Sequence, residues 1–222
     1  MFKKPLLLIA YTLVVILISS LITTAYFHYF VLNQNSDQQS LTAIGDSDVK
    51  NSPIKDDNAI VEIFSYGCHY CALNEENIAK LEARMPAGSK LIRLHINNEQ
   101  MNGLASFSSL FATLTVMGIE PQHRESAYKA IIKDKIDLSN PKNRDNWLNE
   151  NGIDLDAYAK ASQTPQVQEL LGYMTEVSKY YKISATPTFI VNKKWLALQD
   201  RDFPAFADQL LSLLQHDKPL EQ

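Results

Sequence analysis

The sequence predicts an α/β domain whose strands are separated by a long helical block and preceded by a single N-terminal transmembrane helix. Three observations carry that prediction. Short apolar, β-rich runs stand at 60–65, 90–96 and 188–192. Between the second and third, from about Glu99 to Tyr181, helical spacing recurs with no strand signal. From Pro5 to Ser36 there is no Asp, Glu, Lys or Arg.

The elements follow in order. A helix needs about 20 apolar residues to cross a bilayer, and the run over about 5–30 suffices. Lys3 and Lys4 before it put the N-terminus in the cytoplasm and the remainder outside. Tyr26, Phe27, Tyr29 and Phe30 fall where an outer interface favours aromatic rings. The alternative is a cleaved signal peptide, although no clear small-residue cleavage site ends the run. Residues 1–32 thus read as the anchor. Residues 33–58, rich in Asn, Gln, Ser and Asp, read as a flexible tether. Residues 59–217 read as one folded domain.

Within that domain, Ile60–Ser65 reads as a buried strand holding one acid, Glu62. A helix over Ala72–Arg84 carries Leu73, Ile78 and Leu81 and stops at Pro86-Ala87-Gly88. Lys90–Ile96 alternates like a second strand. Strand, helix, strand makes a βαβ unit, with parallel strands and a right-handed crossover. Five helical stretches follow: Phe107–Met117, Ser126–Asp134, Asn143–Asn151, Leu155–Ala161 and Gln166–Tyr181. Thr188–Asn192 and Trp195–Leu198 read as strands joined at Lys193-Lys194, and Phe203–Leu214 as a closing amphipathic helix. The order β, α, β, helical block, β, β, α is that of a thioredoxin-like core with helices inserted at about 99–181.

Chemistry concentrates at Cys68-His69-Tyr70-Cys71. These two cysteines are the chain's entire complement. They lie between a strand and a helix, where an anionic sulfur is favoured by unpaired N–H groups. A C-x-x-C pair in that position points to reversible thiol–disulfide exchange. So short a loop gains little from being cross-linked, which disfavours a purely structural bond. A zinc site is also disfavoured, because His28, His95, His123 and His216 show no ligand spacing.

Three stretches resemble the DsbA family of exported thiol:disulfide oxidoreductases: Val61–Cys71, Lys90–Ile96 and Ile183–Asn192, the last containing Thr186-Pro187-Thr188. The similarity runs from about Ile60 to Gln215 and includes the length of the insertion. It implies a thioredoxin-like fold and an oxidase that donates the Cys68–Cys71 disulfide to folding exported chains through a mixed disulfide. It also implies no cofactor beyond that disulfide. Cys68 would be the nucleophile. Cys71 would close the disulfide and resolve mixed disulfides by attacking Cys68. Pro187 would be cis, and the Thr186 backbone would pair with a client like an added strand.

Glu62 matches the family's buried acid and would relay the Cys71 proton. The other readings of Glu62 are a solvent-facing edge position or a salt bridge to Arg93 on the neighbouring strand. His69 could add a positive charge or a donor beside Cys68, and Tyr70 an apolar cap. Family members tend to carry Pro-His between the cysteines; this chain carries His-Tyr, the pair that helps set thiolate stability.

The implied partners are unfolded exported polypeptides, a quinone-linked reoxidant of the DsbB type, and the inner membrane through the N-terminal helix. The implied location is single-pass inner membrane with the domain in the periplasm, or soluble periplasm after cleavage. Nucleic acid is disfavoured by charge. Beyond position 36 all 25 acidic residues face 19 of the 21 basic ones, a net of −6. No dimerisation segment is visible, so a monomer is expected. A reductase or isomerase, and a non-catalytic peptide-binding assembly factor, stay open as alternatives.

Overall fold

The computed structural model describes residues 3–26 and 40–220. Two units result, one before and one after the 39/40 boundary. In the first, Lys3–Tyr26 forms a single helix, α1. Side chains are described for Ile9 and Tyr11–Tyr26, all exposed. Among the described residues no helix is long and apolar enough to cross a membrane, so the expected transmembrane helix is not supported. Phe27, His28, Tyr29 and Phe30 lie outside the described residues.

The second unit holds a five-stranded sheet. Its strands are β1 (Leu41–Ala43), β2 (Ala59–Phe64), β3 (Lys90–His95), β4 (Thr188–Val191) and β5 (Trp195–Leu198), in the spatial order β1-β5-β4-β2-β3. β2 and β3 are parallel, as a βαβ unit requires. β4 runs antiparallel to β2 and β5, and β1 antiparallel to β5. β2 lies inside the sheet, between β4 and β3, and is buried along its whole length, which is why it is a near-continuous apolar run.

The tether assigned to 33–58 needs correction. From Ser40 onward this polar stretch is part of the fold. β1 pairs with β5, a short helix α2 (Asp46–Lys50) follows, and Ile54 is 1% exposed. Leu198 N–H donates to Ser40 O (2.7 Å), and Ser52 Oγ and Tyr181 Oη lie 2.7 Å apart. Composition misled here because three strand residues and one isoleucine hold the segment. A chain trimmed to start at Ser40 is expected to keep the thermal midpoint of the intact domain. One trimmed to start at Asn58 is expected to lose at least about 2 kcal/mol in urea unfolding, from one buried isoleucine and several hydrogen bonds.

The first crossover is α3 (His69–Leu73) followed by α4 (Glu75–Arg84), not one helix from Ala72. The chain breaks at Asn74, whose side chain is tied to Gln199 (2.8 Å) and Asn77 (3.3 Å). After a 3-10 turn at Gly103–Ala105 come α5 (Ser108–Val116) and α6 (Glu120–Tyr128). α6 begins six residues before the helix expected at Ser126 and passes into a π turn, Lys129–Lys133. Gly118, at φ 73°, ends the α5 segment. α7 (Pro141–Glu150), α8 (Leu155–Ser162) and α9 (Pro165–Tyr180) complete the insertion, and α10 (Phe203–His216) closes the chain.

The sheet separates two cores. Ile60, Phe189 and Val191 pack with Ile78 and Leu81 of α4 and Phe206 and Leu210 of α10. Val61, Ile63 and Ile190 pack with the insertion through Phe111, Leu114, Met174 and Val177. Alternate residues of the same strands serve opposite faces. The insertion is therefore a second layer on the sheet, and its first helices reach the turn that carries the cysteines.

Candidate active site

Cys68 lies four residues past the C-terminal end of β2 as the N-cap of α3, and Cys71 lies in that helix's first turn. They are joined as a disulfide, with Cα atoms 5.3 Å apart. The Cys71 N–H donates to Cys68 Sγ (3.1 Å). Cys68 is 6% exposed and Cys71 fully buried. Because α3 is short and breaks at Asn74, support for an anionic Cys68 rests on this local N–H rather than on a long helix dipole.

The turn before Cys68 uses its backbone N–H groups inward. Tyr66 N–H donates to His95 Nε2 (3.1 Å), Gly67 N–H to Ser65 Oγ (3.0 Å) and Cys68 N–H to Ser65 O (3.0 Å). The Ser65 hydroxyl donates to Leu104 O (2.6 Å). At Gly67 a Cβ would stand 3.3 Å from the Phe107 ring, so the approach of the insertion favours glycine there. His95 is fully buried with Nδ1 2.8 Å from Ile96 O. Burial pulls its pKa down to about 4, against the opposing Ile96 contact. It therefore stays neutral near pH 7, donating through Nδ1 and accepting through Nε2.

Across the disulfide lies the loop before β4. The Thr186–Pro187 peptide is cis. Thr186 O is 3.3 Å from Cys68 Sγ. A groove of about 640 Å³ runs along this loop, bounded by Tyr70 and Leu73 on one side and Leu198, Gln199 and Arg201 on the other. Tyr70 and Leu73 are 68% and 62% exposed beside it. His69 is also exposed, but faces a second groove of about 700 Å³ between α3 and the insertion, bounded by Arg124, Tyr128 and Ile132.

On β2, six residues before Cys68, Glu62 is fully buried, which removes the solvent-facing reading. Arg93, its register partner on β3, donates through Nε to Glu62 Oε2 (2.6 Å). Both guanidinium termini of Arg93 donate to Glu75 on α4 (2.8 and 2.6 Å). Glu62 Oε1 is buried with no hydrogen-bond partner among the described residues. Burial raises the Glu62 pKa, with Arg93 opposing and Glu75 adding to the rise. For Arg93, burial pulls downward, yet Glu62 and Glu75 outweigh it and the guanidinium stays charged.

Cys68, Cys71, Thr186 and Pro187 thus converge, with His69 and Tyr70 lining different grooves. Sequence reasoning missed Tyr66, Glu75, His95, Glu120 and Arg124. Of these contacts the spacing of Glu120 and Arg124, four apart on a helix, was readable as a pair; the others join distant elements.

A family model described as DSBA-like thioredoxin domain matches residues 87–211, more than half the chain. The match contains the insertion and Thr186-Pro187 and begins after Cys71. The thiol:disulfide interchange protein DsbA of Azotobacter vinelandii is 31% identical over 137 residues, covering 61% of this chain and 63% of that protein. Its namesake in Pseudomonas aeruginosa is 25% identical over 137 residues, covering 61% and 64%. The chain therefore spans somewhat less than two thirds of the length of these relatives. Among solved structures, the oxidoreductase NmDsbA3 from Neisseria meningitidis is 25% identical, with a TM-score of 0.61, over 74% of this chain and 90% of that one. The oxidoreductase NmDsbA1 from the same organism superposes with a TM-score of 0.65 at 22% identity, over 80% and 91%.

Proposed function

The chain belongs to the DSBA-like thioredoxin domain family, and on that premise we propose that it is a thiol:disulfide oxidoreductase that donates the Cys68–Cys71 disulfide to folding exported polypeptides. The observation that carries the reading is the Cys68–Cys71 disulfide at the start of α3, with Cys71 N–H on Cys68 Sγ and Thr186 O beside it.

In this reading a client thiolate attacks Cys68 Sγ. The Cys68–Cys71 bond breaks, a client–Cys68 bond forms, and the electron pair leaves on Cys71 Sγ. A second client thiolate then attacks the client sulfur of the mixed disulfide, and Cys68 departs as a thiolate held by the Cys71 N–H. The client is oxidised by two electrons and the cysteine pair is reduced by two. Glu62 is suited to deliver the proton that buried Cys71 needs, because Oε1 is unclaimed among the described residues while Arg93 holds Oε2. The client backbone pairs with Thr186, its side chains lying over Tyr70 and Leu73. No cofactor beyond the disulfide takes part. A quinone-linked membrane protein of the DsbB type would reoxidise the pair.

The proposed compartment is oxidising and outside the cytoplasm. α1 would take the domain there as a retained anchor or as a leader that is removed. Alkaline carbonate extraction of the native protein separates the two, leaving the anchored form in the pellet.

Equilibrium with glutathione buffers tests the direction of transfer. The expected potential is clearly more oxidising than about −270 mV, the value of a dedicated reductant; a value at or below that assigns the protein to reduction instead. Reduction is also expected to raise the thermal midpoint, because an oxidising disulfide is one whose reduced fold is the more stable. A structural disulfide gives the opposite sign.

A further inference from the structure

A chain of ionic contacts runs from the inserted helical block to the acid buried on β2. Tyr66, two residues before Cys68 and fully buried, donates its hydroxyl to Glu120 Oε1 on α6 (2.7 Å). Arg124, one turn along α6, donates to both Glu120 oxygens (2.9 and 2.5 Å) and through Nη1 to Glu75 Oε2 (3.4 Å). Glu75 receives both termini of Arg93, whose Nε holds Glu62. Three carboxylates thus share two guanidinium groups. Side-chain exposures run from 0% at Glu62 to 29% at Glu75, so water screens the set weakly.

We propose that Arg124 and Glu120 are positioning residues that set the protonation of Glu62 from across the boundary between the insertion and the sheet. They act by competition. Glu75 draws on Arg93 and Arg124 together. Where Arg124 supplies more charge to Glu75, Arg93 has more to give Glu62. Where Glu120 takes more of Arg124, Glu75 takes more of Arg93 and Glu62 binds its proton more tightly. The ionisable groups bearing on Glu62 are Arg93 from β3, Glu75 from α4, Arg124 from α6, and Tyr128 at the end of α6, a phenol kept neutral by its burial. The consequence for disulfide exchange rests on the proposed relay role of Glu62; the effect on Glu62 itself does not.

The two ends of α6 predict opposite signs, which a general loosening of the fold cannot produce. In the intact protein, the Glu62 carboxyl is followed by carbon-13 NMR against pH, its signal assigned by its loss in Glu62→Gln. Arg124→Gln is expected to raise the Glu62 midpoint by roughly half a unit to one unit, less than the 1–3 units of a directly contacting charge. Glu120→Gln, which keeps an acceptor for Tyr66, is expected to lower it. Arg124→Lys is expected to return the midpoint most of the way to wild type. Shifts of the same sign in Arg124→Gln and Glu120→Gln, or no shift in either, overturn the proposal. If Arg124→Gln does not fold, the downward shift in Glu120→Gln is the required result. The pH profile of client oxidation, measured on the same proteins, is expected to move with Glu62. Opposite shifts of Glu62 with an unmoved rate profile support the ionic link and remove the relay role instead.

Discussion

Cys68→Ser is expected to lose disulfide transfer completely, leaving client oxidation at the uncatalysed rate in an insulin or reduced-peptide assay. Without Cys68 there is neither a disulfide to donate nor a sulfur for the client to attack. Cys71→Ser is expected to fail differently. Its lone Cys68 thiolate is expected to attack disulfides of clients, displacing one client thiolate and accumulating as a mixed disulfide that no Cys71 resolves, visible as adducts on non-reducing gels. Loss of the cross-link itself costs only about 2 kcal/mol for so short a loop in the chain-entropy view, so both variants stay folded. Full activity in Cys68→Ser would refute the redox reading and leave peptide binding along the Thr186-Pro187 groove as the function.

The largest stability effect is expected at Arg93. Arg93→Met removes the cation that holds buried Glu62 and also serves Glu75. It removes as well the guanidinium stacked 4.7 Å from the Phe64 ring centroid. Breaking a buried pair in this way costs about 3–5 kcal/mol, read from urea unfolding at pH 7. The loss must depend on pH in a stated direction. The folded-state pKa of Glu62 lies above its ordinary value of 4.5. The folded protein therefore binds more protons than the unfolded chain in the interval above 4.5, and stability falls as pH rises through it. Without Arg93 the folded-state value climbs further. The deficit is thus expected to be small below about pH 4.5, where Glu62 is protonated in both states, and to grow toward neutrality. Adding Glu62→Gln to Arg93→Met is expected to recover most of it. A deficit independent of pH, with no recovery in the double variant, would show that packing against Phe64 rather than charge dominates.

These two residues mark what could and could not be read from the chain. The βαβ unit was legible because β2 and β3 are apolar runs of strand length around a helical stripe. Parallel pairing of those two runs then faces Glu62 with Arg93. β4, β5 and α10 were legible for the same reason, their periodicity being a local property of backbone geometry. The break at Asn74 was not. Asparagine within a helical pattern is tolerated, and what stops the helix here is a side chain committed to Gln199, 125 residues away. β1 was hidden among polar residues because its stability comes from pairing Leu41 with Ala197 rather than from its own composition. The start of α6 was hidden as well, since its first residues are polar and its value to the fold lies in Glu120 reaching Tyr66.

By itself the sequence determined the βαβ unit, β4, β5 and α10, and the redox pair at the strand-to-helix turn. Each depends on spacing along the chain or on chemistry between near neighbours. Only the tertiary structure decided how deeply Glu62 is buried, that one of its oxygens is held by Arg93 and the other is unclaimed among the described residues, and that Glu75, Arg124 and Glu120 extend the contact into the insertion. The physical reason is that a charge's environment is the sum of everything packed around it. Here those groups come from β2, β3, α4 and α6, which meet only when the sheet and the inserted helices close over one another.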